Sequence, residues 1–179
     1  MTHHAPEITT QRLRLRIPEE DDAGFVLDVY SRPEVTHWLG THDWVETTRE
    51  QALRRIERYR AQFSSSTGVW LVEELEGKTP TGFALMKPIP FSSGAEEPEQ
   101  DMEIGWHLHP GAWGSGIATE AAGALVEHAR RCGIPRLVAV THAENAASQA
   151  VARRLSMHYE GTTNRYYDTT CELFTLSLL

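Results

Sequence analysis

Glu103-Ile104-Gly105-Trp106-His107-Leu108-His109-Pro110-Gly111-Ala112-Trp113-Gly114-Ser115-Gly116-Ile117-Ala118-Thr119-Glu120-Ala121 is the stretch whose reading decides the fold. It begins as a strand, turns through a glycine-rich segment from Pro110 to Gly116, and opens a helix with an Ala-rich packing face at Ile117. A strand that feeds a helix through such a turn aims several backbone N–H groups at one place. The helix dipole adds to their attraction for a phosphate or pyrophosphate. Gly114 and Gly116 leave room for an approach that a side chain would block. The loop lacks the Gly-Lys-Ser/Thr ending of a Walker A and the full G-x-G-x-x-G of a dinucleotide fingerprint. Read by itself it is either an anion cradle or a tight connection that needs glycine only to turn.

Working outward, residues 12–17 alternate, with Leu13, Leu15 and Ile17 on one face and Arg12, Arg14 and Arg16 on the other, which predicts a half-buried strand after a frayed lead-in over residues 1–11. Residues 19–30 carry Ala23, Val26, Leu27 and Tyr30 at helical spacing, and Pro33 breaks that helix. Asp43 with Glu46 reads as a capping box that opens a second helix running to about Phe63. Strands are expected over 69–75 and 81–86 around a Glu76-Gly77-Lys78 turn, then a loop over 87–100 and a strand over 101–108. A helix over 117–131 ends at Gly133, followed by a strand over 136–141, a helix over 145–156 and closing strands over 158–168 and 171–178. With no repeat or linker, this order implies one domain over residues 12–179: an α/β fold in which helices flank a mixed sheet.

Composition narrows the function. The chain has 179 residues, enough for one full core, and 40% of them are hydrophobic. Seventeen Lys and Arg against 25 Asp and Glu leave a net charge of −8. That disfavours nucleic acid and suits a cationic partner such as an amine. The acidic run Glu96, Glu97, Glu99 and Asp101 either steers such a cation or is a solvated rim. The 2 cysteines, Cys132 and Cys171, have no knuckle or redox spacing. His107 and His109 share a strand face but lack a third ligand at suitable spacing, so no metal is expected. The opening residues lack an apolar leader, and no run approaches about 18 apolar residues, so the expectation is a cytoplasmic protein with no membrane partner.

Several segments, in order, resemble the GNAT superfamily of N-acetyltransferases, and within it the RimJ/RimL ribosomal-protein acetyltransferase branch. They are Thr10-Gln11-Arg12-Leu13-Arg14-Leu15-Arg16, Pro33-Glu34-Val35-Thr36-His37-Trp38-Leu39, Glu103-Ile104-Gly105-Trp106, Trp113 to Ala121, and the closing set Asn145, Ser148, Leu155-Ser156-Met157 and Gly161. The chain departs from the family pattern in having Trp113 for the usual Gln or Arg, Ser156 for a closing Gly, and Ala152 where many relatives carry a Tyr acid.

The resemblance implies an acyl-CoA N-acyltransferase fold whose central sheet splays, with acetyl-CoA in the gap as acetyl donor. The pantetheine would meet the backbone of His107, Leu108 and His109. The pyrophosphate would meet the N–H groups of Trp113, Gly114, Ser115, Gly116, Ile117, Ala118 and Thr119. Asn145 would touch the cofactor or hold the exit of its strand. Attack of an amine on a thioester needs a base and a donor to the departing sulfur. Glu103 is the base expected, against a purely solvent-facing or Arg-holding role. Ser148 is the donor expected, against a bond within its own helix. Trp38, Trp44, Tyr59, Tyr167 and Glu103 would bound the acceptor site, or pack. The acceptor is a peptide N-terminus or a small amine, with polyamine and aminoglycoside acceptors as further options. The competing reading is a CoA-binding sensor or interaction module without turnover. A homodimer is a weak expectation from the resemblance.

Overall fold

A computed structural model describes residues 6–95 and 100–179. Among them one sheet has the order β1-β2-β3-β4-β5-β6-β8-β7, with β1 at Ile8–Thr9, β2 at Leu13–Arg16, β3 at Gly68–Glu74, β4 at Pro80–Pro88, β5 at Met102–Leu108, β6 at Arg136–Thr141, β7 at His158–Thr163 and β8 at Cys171–Ser177. Neighbours pair antiparallel except β5 and β6, which are parallel and register at a single pair, Glu103 with Val138. The fold is the mixed α/β architecture expected of a GNAT domain. No helix among the described residues is long and apolar enough to cross a membrane.

The helices cover both faces. Helix α4 (Ile117–Arg131) buries Ala121, Ala122, Leu125 and Ala129 against Leu13, Leu15, Val72, Met86 and Ile104. Its small residues let the helix lie close to the sheet. Helices α1 (Ala23–Tyr30) and α3 (Arg49–Ala61) cover the opposite face, where Val26, Tyr30, Ile56 and Tyr59 meet Leu71 and Phe83. The four-residue α2 (Pro33–Thr36) packs against α1, and α5 (Ala146–Arg154) packs against α4 and β6. The arginine face of β2 is consumed internally. Arg14 and Arg16 each reach the buried Glu73 on β3 at 2.9 Å, and Arg16 also grips Asp22 at 2.8 Å. A carboxylate as enclosed as Glu73 is tolerable because both its oxygens meet guanidinium donors.

Several expectations are corrected. The lead-in is not frayed over its whole length: Ile8 is buried and pairs with Leu15. The capping box that opens α3 is Thr48 with Gln51, and Asp43 with Glu46 plays no such part. Glu46 is buried instead, with its Oε1 2.6 Å from Nε of Arg55. The segment after β4 is anchored at its base by Ile89 N–H to the Asp101 carbonyl at 3.0 Å and by a bridge between Phe91 and Tyr166. Glu96, Glu97 and Glu99 lie outside the described residues.

Candidate active site

The gap comes from the parallel pair. Beyond Glu103 and Val138 the strands β5 and β6 no longer register, so one edge of β5 keeps unpaired backbone groups. His109 donates its N–H to the Thr81 carbonyl on β4 at 2.9 Å, and His107 stands opposite Phe83 in the antiparallel register. Backbone direction alternates along a strand, so His107 and His109 point at β4, and Trp106 and Leu108 point at the gap. Of the three strand residues expected to offer backbone groups to a pantetheine, only Leu108 faces the gap. Trp106 is the one the sequence reading missed. The Leu108 carbonyl already accepts the Trp113 indole N–H at 3.1 Å. The His109 ring is structural: Nδ1 accepts the Gly111 N–H at 3.0 Å, so Nε2 carries the proton and donates to Asp28 at 3.1 Å.

The glycine loop is open at the places where an anion would sit. Gly114 and Gly116 adopt φ of +73° and +80°, and a Cβ on Gly114 would meet nothing within 4 Å. On Gly116 it would meet only Nη2 of Arg12, at 3.5 Å. The N–H groups from Gly114 to Thr119 have no protein acceptor among the described residues, and no side chain caps α4. That row of orphan donors fits a pyrophosphate. The loop is braced from outside. Both terminal nitrogens of Arg12 donate to the Ser115 carbonyl at 3.2 Å, and its Nε meets Glu120 at 2.7 Å. Thr10 donates to the same carboxylate at 2.6 Å. Burial alone would raise the Glu120 pKa, but the Thr10 hydroxyl and the Arg12 donors together hold it below the ordinary value.

Glu103 sits at the vertex of the gap and is 8% exposed. It is neither solvent-facing nor held by an arginine. The Tyr167 hydroxyl donates to Glu103 Oε2, and Lys87 Nζ lies 3.1 Å from the same oxygen and 2.8 Å from the Tyr167 hydroxyl. Burial first, and then the Glu103 charge, hold the Tyr167 phenol far above its usual range, so it acts as a proton donor in a hydrogen bond and not as an anion. Lys87 stands opposite Glu103 in the β4–β5 register.

The other predicted residues divide. The side chain of Asn145 caps α5 through the Ser148 N–H at 3.1 Å, so it is occupied within its own helix. The Ser148 hydroxyl has no protein partner among the described residues. Ala152 is fully buried under α4, so that position carries a packed methyl and no acid. Tyr59 is buried inside the second core and does not open on the gap. Trp38 packs edge-on against His142, which lies on the loop after β6, and so reaches across the mouth of the gap. Trp38 and Trp44 join Trp113, with Glu34 and Asp43 at the rim, around a groove of about 670 Å³. Lys87 was missed because pairing across the long 87–100 loop hid its register, and His142 because its contact is made by a loop with no periodic signal.

The Acetyltransferase (GNAT) domain family matches residues 12–158, a span that holds both the β5–β6 gap and the glycine loop. The chain belongs to that family. This GNAT domain is similar to the uncharacterized N-acetyltransferase YoaA of Bacillus subtilis, with 28% identity over 90% of this chain and 88% of that one. Its fold is similar to that of a GNAT-family acetyltransferase from Bacillus anthracis, with TM-score 0.77, 19% identity, and coverage of 97% and 99% of the two chains. It is also similar in fold to RimL, a ribosomal alpha-N-protein acetyltransferase, in complex with coenzyme A, with TM-score 0.76, 22% identity, and coverage of 96% and 98%.

Proposed function

We propose that this GNAT domain transfers the acetyl group of acetyl-CoA to a primary amine by direct attack in a ternary complex, with a peptide N-terminus or a small amine as acceptor in the manner of the RimJ/RimL branch. The observation that carries the reading is the coincidence of the β5–β6 splay with the row of unpaired N–H groups from Gly114 to Thr119. When bound, acetyl-CoA supplies an activated thioester. Trp106 and Leu108 offer backbone groups along the gap, and the loop neutralises the pyrophosphate. Glu103 takes the proton from the incoming ammonium, directly or through one water. Tyr167 and Lys87 hold its carboxylate in place. The free Ser148 hydroxyl is the donor toward the sulfur. Trp38 and Trp44 wall the acceptor approach, and the acidic rim of their groove favours a cation.

A second reading, a CoA-binding module without turnover, is favoured by the packed methyl of Ala152 where many relatives carry an acid. Thioester consumption with a panel of peptide and alkyl amines separates the two. The acetyltransferase reading expects amine-dependent release of coenzyme A, and Glu103→Gln lowering kcat about 100-fold or more with CoA affinity unchanged. Amine-independent background alone would leave the binding-module reading in place. An unchanged pH–rate profile in the variant would remove Glu103 as the base.

A further inference from the structure

A buried row of polar groups runs from α3 to the cofactor strand and takes no part in the steps above. Arg55 Nη1 donates to the Tyr59 hydroxyl at 3.3 Å, the Tyr59 and Tyr30 hydroxyls lie 2.7 Å apart, and the Tyr30 hydroxyl lies 3.1 Å from Nδ1 of His107. Glu46 fixes the far end through Arg55 Nε at 2.6 Å, and the guanidinium stacks 4.1 Å from the Tyr30 ring centroid.

The direction of this row follows from donor chemistry. A guanidinium can only donate, so the Tyr59 oxygen accepts. The buried Tyr59 hydroxyl has no acceptor other than the Tyr30 oxygen among the described residues, so its proton goes there, and the Tyr30 proton is left to go to Nδ1 of His107. Nδ1 therefore carries no hydrogen. Burial first, then the Arg55 and Lys87 charges, push the His107 pKa down to about 3. A neutral ring with a bare Nδ1 keeps its proton on Nε2. That atom has no protein partner among the described residues, and His107 is partly exposed. His107 shares its strand face with Glu103 and Gly105, on the side covered by α1 and α3. The charged and titratable groups that bear on the ring are Tyr30 from α1, Tyr59 and Arg55 from α3, and Lys87 from β4.

We infer that His107 is a hydrogen-bond donor of fixed tautomer, its Nε2–H set to receive a carbonyl or hydroxyl oxygen on the amine substrate, with Tyr30, Tyr59 and Arg55 as positioning residues. The inference rests on the acetyl-transfer reading only for the side from which the acceptor enters. It makes His107 a selector for oxygen-bearing amines, such as amino-terminal peptides, over plain alkylamines. The ring is excluded as the proton-taking base, because its open nitrogen has no lone pair to offer.

Long-range proton–nitrogen correlation spectra of the histidine rings in full-length, uniformly labelled protein test this directly. Over about pH 8 to about pH 5, His107 keeps a pyridine-type Nδ1 and a pyrrole-type Nε2 while exposed histidines titrate. Tyr30→Phe removes the donor to Nδ1 with little change in volume and leaves a mixture of tautomers. Tyr59→Phe, one link further from the ring, does the same more weakly and serves if the first variant fails to fold. In protein saturated with CoA, alanyl-alaninamide shifts the Nε2 signal and n-butylamine does not. A wild-type ring protonated at Nδ1, a ring that titrates with the exposed histidines, or equal responses to the two amines would overturn the inference. Neither readout needs turnover, so its failure is distinct from failure of the acetyl-transfer reading.

Discussion

Gly116 is where one residue type carries most of the cofactor argument. Its φ of +80° and the open space around it suit a backbone that lets an anion approach closely. Gly116→Val would crowd the Arg12 guanidinium that braces the loop and add a left-handed backbone cost of about 1–2 kcal/mol. CoA affinity is expected to fall at least about tenfold beyond what the loss of Tm accounts for. Equal affinity in a folded variant would sink the cradle. Ser156 holds a φ of +62° at the end of α5, a conformation that serine adopts at a cost. Ser156→Gly should therefore raise stability by about 1 kcal/mol, read as a higher midpoint in urea, with CoA affinity unchanged. The glycine pair was legible in the sequence because local chemistry marks it, and Glu103 was singled out only through the resemblance. Lys87 was not legible, because its partnership with Glu103 exists only through the β4–β5 register.

Arg12 with Glu120 is a device that belongs to elements. It ties the turn before β2 to the first turn of α4 and holds the Ser115 carbonyl away from the anion side of the loop. Arg12→Ala is expected to weaken CoA binding about fivefold to tenfold with a small loss of Tm, measured by calorimetry and thermal unfolding. The folded Glu120 pKa lies below its ordinary 4.5, so the pair contributes fully above pH 4.5 and its contribution is lost as pH falls through the lowered value. A CoA affinity that stays flat on that acid side would contradict the brace. Element spans read well where a periodic pattern ran without competition: α4 and β6 lie where the hydrophobic spacing placed them. The start of α3 did not, because two frames of the capping pattern lie close together. Arg55 drew Glu46 into the core and left Thr48 with Gln51 to cap the helix.

At the scale of the molecule, the sheet is continuous through β4 and β5 and fails to zip at β6, and every proposed contact with the cofactor lies along that failure. The order of elements was legible because each strand and helix carried its own periodicity. The splay was not, since no residue pattern encodes the absence of pairing, and it came from the resemblance. The proposed acceptor groove is built from loops and α2, whose side chains meet only after the chain has folded. The most direct test of the whole account is calorimetric titration of the folded protein with acetyl-CoA, with desulfo-CoA beside it. One-to-one binding at about micromolar Kd, weakened in Gly116→Val, is the predicted result. No heat from either ligand, in protein whose fold is verified by its Tm, would contradict it.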